Sequence, residues 1–331
     1  MYIVSTYTAA VILTFITMLC WGSWANTQKI AKGYRFELFY WDYVLGILIF
    51  SIILGFTMGS RGPDGMGFIQ SITQAGAENI MNAMLGGVIF NLSNILLVAA
   101  IAIAGMAIAF PVGVGLCMVL GVIINYLAAP KGDPAILFTG VALVTVAIVL
   151  DALAYRKLAV SNKKTPVKGI VLSIMAGFLM AWFFRFVASS IATNLEMPEA
   201  GKLTPYTAFF FFVIGIVLSN FLFNVVLMKK PIEGPPVTFA QYFNAGGRSH
   251  ISGVIGGIVW AVGTSLSLIA AGKAGYAISF GLGQGATMIG AFWGVFIWKE
   301  FKSAPRGTWL LLSLMFVLFF AGLGFIIMAG S

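Results

Sequence analysis

Ten long apolar stretches, separated by short polar punctuation, set the pattern of this chain. They run at 8–30, 37–58, 80–101, 106–128, 134–155, 168–193, 205–228, 250–271, 275–298 and 308–329. Each is close to the ~20 residues a helix needs to cross a bilayer. None shows the sustained apolar–polar alternation of a membrane β-strand, so each predicts a membrane-spanning helix. Turn formers fill the gaps, as in Arg61-Gly62-Pro63-Asp64-Gly65, Pro130-Lys131-Gly132-Asp133-Pro134 and Gly234-Pro235-Pro236. No gap is long enough to hold a separate soluble domain.

The pattern repeats. Residues 86–118 align without a gap on residues 256–288, with 12 identities in 33; composition alone gives roughly three or four. Gly86-Gly87 meets Gly256-Gly257, and Gly113, Gly115 and Met118 meet Gly283, Gly285 and Met288. Stretches three and four therefore match stretches eight and nine. The chain divides into a first five-helix repeat (1–155), a short basic connector (156–167) and a second five-helix repeat (168–331). Five is odd, so the second half is expected to enter the membrane upside down. The expected fold class is an all-α integral membrane protein of ten helices in two inverted repeats. In such transporters the substrate site lies near the midplane between the halves.

Composition strengthens this picture. Of 331 residues, 60% are hydrophobic and 9% charged, against about 25% charged in a soluble domain. No Lys or Arg precedes Lys29, so the first stretch lacks the basic start of a signal peptide and is expected to remain as a helix. Cys20 and Cys117 both fall inside apolar stretches, which suggests neither a disulfide framework nor a metal site. The cations are unevenly placed. Fourteen lie in the loops after stretches one, three, five, seven and nine, and four (Arg61, Lys131, Lys202, Lys273) lie on the other side. The positive-inside rule puts the richer side in the cytoplasm and both termini outside, in the cell (inner or plasma) membrane. The net charge of +9 follows from this bias and requires no nucleic acid.

Polar groups inside the apolar stretches are the candidate chemistry, because burying them in lipid is costly. Arg185, in stretch six, offers five donors to carbonyls, hydroxyls or a carboxylate; its alternative is to snorkel outward. Asp42, framed by Tyr40, Trp41 and Tyr43, is the proton-coupling candidate, or else an interfacial charge. Asp151, Glu300 and His250 stand near stretch ends and read as interfacial. Asn91 and Asn94 are three residues apart and share a helix face. Gln284 stands among Gly281, Gly283 and Gly285, where the helix is open to a break. With Asn26 and Thr264 these amides and hydroxyls would line a cavity for a neutral ring-shaped solute, or would join packed helices. Trp21, Trp24, Trp182 and Trp260 lie where they can stack on such a ring. Trp41, Trp298 and Trp309 read as an interfacial belt.

Several motifs carry a resemblance. Trp21-Gly22-Ser23-Trp24, Tyr40-Trp41-Asp42-Tyr43, Tyr206-Thr207-Ala208-Phe209-Phe210, Pro231-Ile232-Glu233-Gly234-Pro235, Gly247-Arg248-Ser249-His250, Ala270-Ala271-Gly272-Lys273-Ala274-Gly275-Tyr276-Ala277 and Trp293-Gly294-Val295-Phe296 resemble, in order, the ureide permease family of the drug/metabolite transporter superfamily. The resemblance spans essentially the whole chain. It implies ten helices and proton-coupled or facilitated movement of ureides or nucleobases. Plant members carry a long central loop with a nucleotide-like motif; the connector here is short and lacks it. The same branch includes glucose/ribose and rhamnose porters, which the chain resembles around 256–300.

The expected protein is thus a secondary active permease moving a small polar solute by alternating access, with a ureide or nucleobase as the first reading and a monosaccharide as the alternative. A multidrug exporter is disfavoured by an arginine where cationic drugs require a carboxylate. No nucleophile–base pair or acid pair suggests an enzyme. Expected partners are the solute, the lipid bilayer and candidate protons; no cofactor or metal is expected, and the chain is read as a monomer or homodimer.

Overall fold

The computed structural model describes residues 1–104, 106–158, 167–232 and 234–331. Among them, ten helices are long and apolar enough to cross a membrane. They are α1 (Tyr7–Ile30), α2 (Phe36–Phe56), α3 (Ala77–Ala104), α4 (Met106–Ala128) and α5 (Pro134–Leu158) in the first half. In the second half they are α6 (Val167–Ser190), α7 (Pro205–Lys229), α8 (Gly247–Ala274), α9 (Tyr276–Ile297) and α10 (Thr308–Met328). Every boundary falls within three residues of the apolar stretch that predicts it. Most of the connector at 156–167, and Gly105 within the repeat, lie outside the described residues.

Local chemistry sets the helix starts. Thr6 caps α1 by accepting from Ala9 N at 3.1 Å. Asp133 caps α5 by accepting from Ala135 N and Ile136 N. Thr204 and Thr207 cap α7 reciprocally, with Pro205 at its first position. Two helices are interrupted. α1 breaks at Trp24-Ala25. α9 breaks at Gln284-Gly285 and ends in a π-helical turn, Trp293–Ile297. At the break, a Cβ on Gly283 would meet the Trp21 ring at 2.7 Å, and one on Gly285 would meet Met18 Sδ at 2.4 Å. The glycines let α1 press directly on α9.

The helix pairings repeat when each helix is exchanged for the one five places on. α1 packs on α8 as α6 packs on α3, and α2 packs on α8 as α7 packs on α3. α1 meets α9 as α6 meets α4, and α9 meets α10 as α4 meets α5. α2 with α7, α4 with α9 and α5 with α10 complete the set. The closest approaches are also paired. A Cβ on Gly87 would lie 2.0 Å from Phe212 O, and one on Gly257 would lie 1.9 Å from Tyr43 O. On the same two contacts, Gly215 faces Met84 O and Gly46 faces Val254 O, each at 2.1 Å. No side chain fits at these four crossings, so backbones touch as they do at close helix crossings in membranes.

Two short helices, Phe68–Gln74 and Phe239–Phe243, occupy matching places before α3 and α8. The apolar pattern did not predict them, being too short to show a period. Both termini lie on one face, here the terminal face; the opposite, basic face carries the cation-rich loops.

Candidate functional site

Halfway through the fold, α2, α3, α7 and α8 cross around an aromatic cluster. Phe90 and Trp260, which hold equivalent positions in the repeat, meet with ring centroids 4.5 Å apart. On one side Trp260 is 6.2 Å from Tyr43; on the other, Phe90 is 5.8 Å from Phe212. Tyr43 is flanked by Trp24 at 4.8 Å and by Tyr40, stacked at 5.4 Å. Phe183 closes the far side against Phe90 at 5.3 Å.

A buried amide network borders this cluster. Tyr40 OH donates to Asn91 Oδ1 at 2.8 Å and accepts from Asn94 Nδ2 at 3.1 Å. Asn91 Nδ2 donates to Ser219 Oγ at 2.9 Å. Asn91 is thereby committed between α2, α3 and α7, as interhelical hydrogen bonding requires. Asn94 has no recorded partner for its carbonyl among the described residues. Tyr43 OH is buried and has no partner among the described residues.

Toward the basic face, Asp42 anchors a second assembly. The carboxylate is 1% exposed and has three polar neighbours. Tyr34 OH and Tyr242 OH each donate to it at 2.7 Å, and His250 Nδ1 sits 2.9 and 3.0 Å from its two oxygens. The four residues come from the α1–α2 loop, α2, the short helix Phe239–Phe243 and α8, so the carboxylate ties four segments together. A Cβ on Gly253 would lie 2.4 Å from Asp42 Cβ; the glycine makes room for the carboxylate. Burial first, and then donation to Asp42, push the Tyr34 and Tyr242 phenols above their ordinary range. Beside this assembly a cavity of about 480 Å³ opens on the basic face, lined by Lys32, Tyr34, Arg35, Gln241 and Ser249 among others. Arg35 closes part of its rim, donating to Pro235 O at 2.8 Å and pairing with Glu37 at 2.6 Å.

The terminal face is sealed differently. Gln74 bridges Gly201 N (2.7 Å) and Lys202 O, while Asn79 Nδ2 donates to Gly201 O at 2.8 Å. Ser71 shares a hydrogen bond with Thr207 at 2.7 Å. Lys202 Nζ donates to Ser189 O and Asn79 Oδ1.

The sequence-derived candidates divide by place. Trp24, Trp260, Asn91 and Asn94 meet at the centre. Trp21 and Thr264 join each other close by, with Trp21 Nε1 donating to Thr264 Oγ1 at 2.9 Å. Gln284 stands at the break in α9. Asn26 is held at the basic face, where Trp298 Nε1 donates to it at 2.6 Å. Trp182 contacts Phe186, away from the central rings. Arg185 is half-buried on α6, with no hydrogen bond or ion pair recorded among the described residues. Glu300 pairs with Lys29 at 2.8 Å and accepts from Tyr155 at 3.1 Å at the foot of α9.

Sequence reasoning passed over Tyr34, Tyr242 and the functional side of Tyr40 and Tyr43, and read His250 as interfacial. Tyr40 and Tyr43 carried a signal, being three residues apart on the face of α2 next to Asp42. Tyr34, Tyr242 and His250 carried none, because only folding brings them to Asp42.

The ureide permease family matches residues 39–167 and 154–330. Ureide permease 2 of Arabidopsis thaliana is 25% identical, covering 100% of this chain and 99% of that protein. Ureide permease 1 of the same plant is 24% identical over the same shares. A solved crystal structure shares the fold, with a TM-score of 0.67 at 15% identity over 97% of this chain and 96% of the other.

Proposed function

The chain belongs to the ureide permease family, and from that premise we propose that it carries a ureide or a similar neutral nitrogen heterocycle by alternating access between two inverted five-helix halves. It is a multi-pass membrane transporter and not an enzyme. The observation that carries the substrate reading is the central wall of Trp24, Tyr43 and Trp260 beside the Asn91–Tyr40–Asn94 amides. Flat rings stack on aromatic faces, and amides match their carbonyls and N–H groups. The exchange of helices five places apart and the paired glycine crossings support the inverted halves.

In this reading the basic face is cytoplasmic, the termini lie outside, and the protein works in the cell membrane. Asp42 binds the coupling proton, and His250 is its partner. Asp42 and Tyr43 are consecutive on α2, so a change at the carboxylate reaches the ring cluster through a single turn.

The test is counterflow in liposomes. Radiolabelled allantoin or uracil is expected to enter saturably, and faster when unlabelled solute is inside; glucose, ribose and rhamnose are expected not to compete. Counterflow with a sugar and none with a ureide would overturn the substrate reading and favour a monosaccharide porter.

A further inference from the structure

Tyr43 is fully buried in the central cluster, yet its hydroxyl has no partner among the described residues. A buried donor left unpaired destabilises a fold, and such a group calls for an explanation. Other buried polar atoms are also unpaired, among them Ser267, Ser279 and Thr308 hydroxyls. Those hydroxyls sit close to their own helix backbones, where a rotor turn offers a carbonyl. The Tyr43 hydroxyl stands at the end of a rigid ring, out of reach of its own helix. Its ring is flanked by those of Trp24 on α1, Tyr40 on α2 and Trp260 on α8. Asn94 lies next to Tyr40, its Nδ2 donating to the Tyr40 hydroxyl, and its carbonyl accepts no hydrogen bond among the described residues.

Resting on the ureide reading above, we propose that Tyr43 OH donates to a substrate carbonyl while Asn94 Oδ1 accepts from the adjacent substrate N–H. The pair is complementary to an –NH–CO– edge, which ureides and pyrimidine-type bases carry and monosaccharides lack. Trp24 and Trp260 supply the faces that flank the bound ring. Tyr43 is thus assigned as the residue that selects a ureide over a sugar.

The assignment separates stability from binding. Tyr43→Phe keeps the ring and removes only the unpaired hydroxyl, so the ligand-free protein is expected to melt at a higher temperature than wild type. The same variant is expected to bind allantoin and uracil about 10- to 100-fold more weakly. Ser279→Ala removes another unpaired buried hydroxyl, outside the central cluster, and is expected to leave affinity unchanged. Thermal-shift titrations of the purified full chain with allantoin, uracil and glucose read both quantities. Wild-type binding of a ureide, weakened in Tyr43→Phe and kept in Ser279→Ala, supports the assignment. Equal ureide affinity in wild type and Tyr43→Phe overturns it while leaving the ureide reading standing. No shift with either ureide in wild type overturns the ureide reading and, with it, the role given to Tyr43.

Discussion

The two faces close by the same architecture and different chemistry. On each, a short helix before a long one, Phe68–Gln74 or Phe239–Phe243, meets a loop from the other half of the chain. On the terminal face the seam is made of amides, hydroxyls and one ammonium donating to a carbonyl and an amide oxygen. On the basic face it converges on one buried carboxylate with an imidazole and two phenols. The terminal seam spreads its hydrogen bonds over many groups and contains no carboxylate among the bonds named. A buried carboxylate depends on its donors, and removing the acceptor leaves each of them unsatisfied. The comparison teaches that matching short helices can close two faces of one fold with different hydrogen-bonding chemistry, spread over several groups on one face and gathered on a single carboxylate on the other.

The largest expected effect comes from removing the carboxylate that distinguishes the two seams. Asp42→Ala leaves Tyr34, Tyr242 and His250 without their acceptor and is expected to cost about 1–3 kcal/mol for each buried donor left unsatisfied, read as a fall in melting temperature. Asp42→Asn is expected to abolish substrate-driven proton movement in liposomes; proton flux equal to wild type would eliminate Asp42 as the carrier. Next come the crossings that the two halves share. Gly87→Ala and Gly257→Ala would place a Cβ 2.0 and 1.9 Å from a backbone oxygen, and each is expected to destabilise by about 1–3 kcal/mol. Similar losses from the two variants would sharpen the equivalence of the halves, and a large difference would break it.

A smaller effect is expected on the terminal face. Gln74→Ala removes two hydrogen bonds, for about 1–2 kcal/mol. Cysteine labelling should show that face opening more often, to the same degree at pH 6 and pH 8. The smallest effect is alkaline. Tyr34 and Tyr242 are held above the ordinary tyrosine value of 10.0, so their contribution is complete below that pH. Above it, the unfolded chain ionises these phenols before the folded one does, and stability falls as pH rises. The double variant Tyr34→Phe, Tyr242→Phe should flatten that part of the stability curve, and an unchanged slope would show that these phenols do not set it.

Legibility differed by length scale. The ten helices could be read because each is a continuous apolar run, and lipid permits few other structures. The break at Gln284 could be read from its glycines. The pairing of Asn91 with Asn94 on one face followed from their spacing. The Asp42–His250 contact could not be read: the two residues are 208 apart, and no local pattern links them. The same holds for Asn26, whose amide resembles the others in sequence and is claimed by Trp298 from the foot of α9. The orphaned hydroxyl of Tyr43 is invisible in sequence, since being unpaired is a property of all the neighbours at once.

Sequence alone determined the solvent and the number of crossings, and it pointed to the relation between the two halves. These follow from apolar length and from a repeat that survives in the order of residues. Tertiary structure decided which polar groups meet. In a bilayer a buried donor or acceptor has no water to turn to, so its role depends on whichever group the packing of distant helices sets against it.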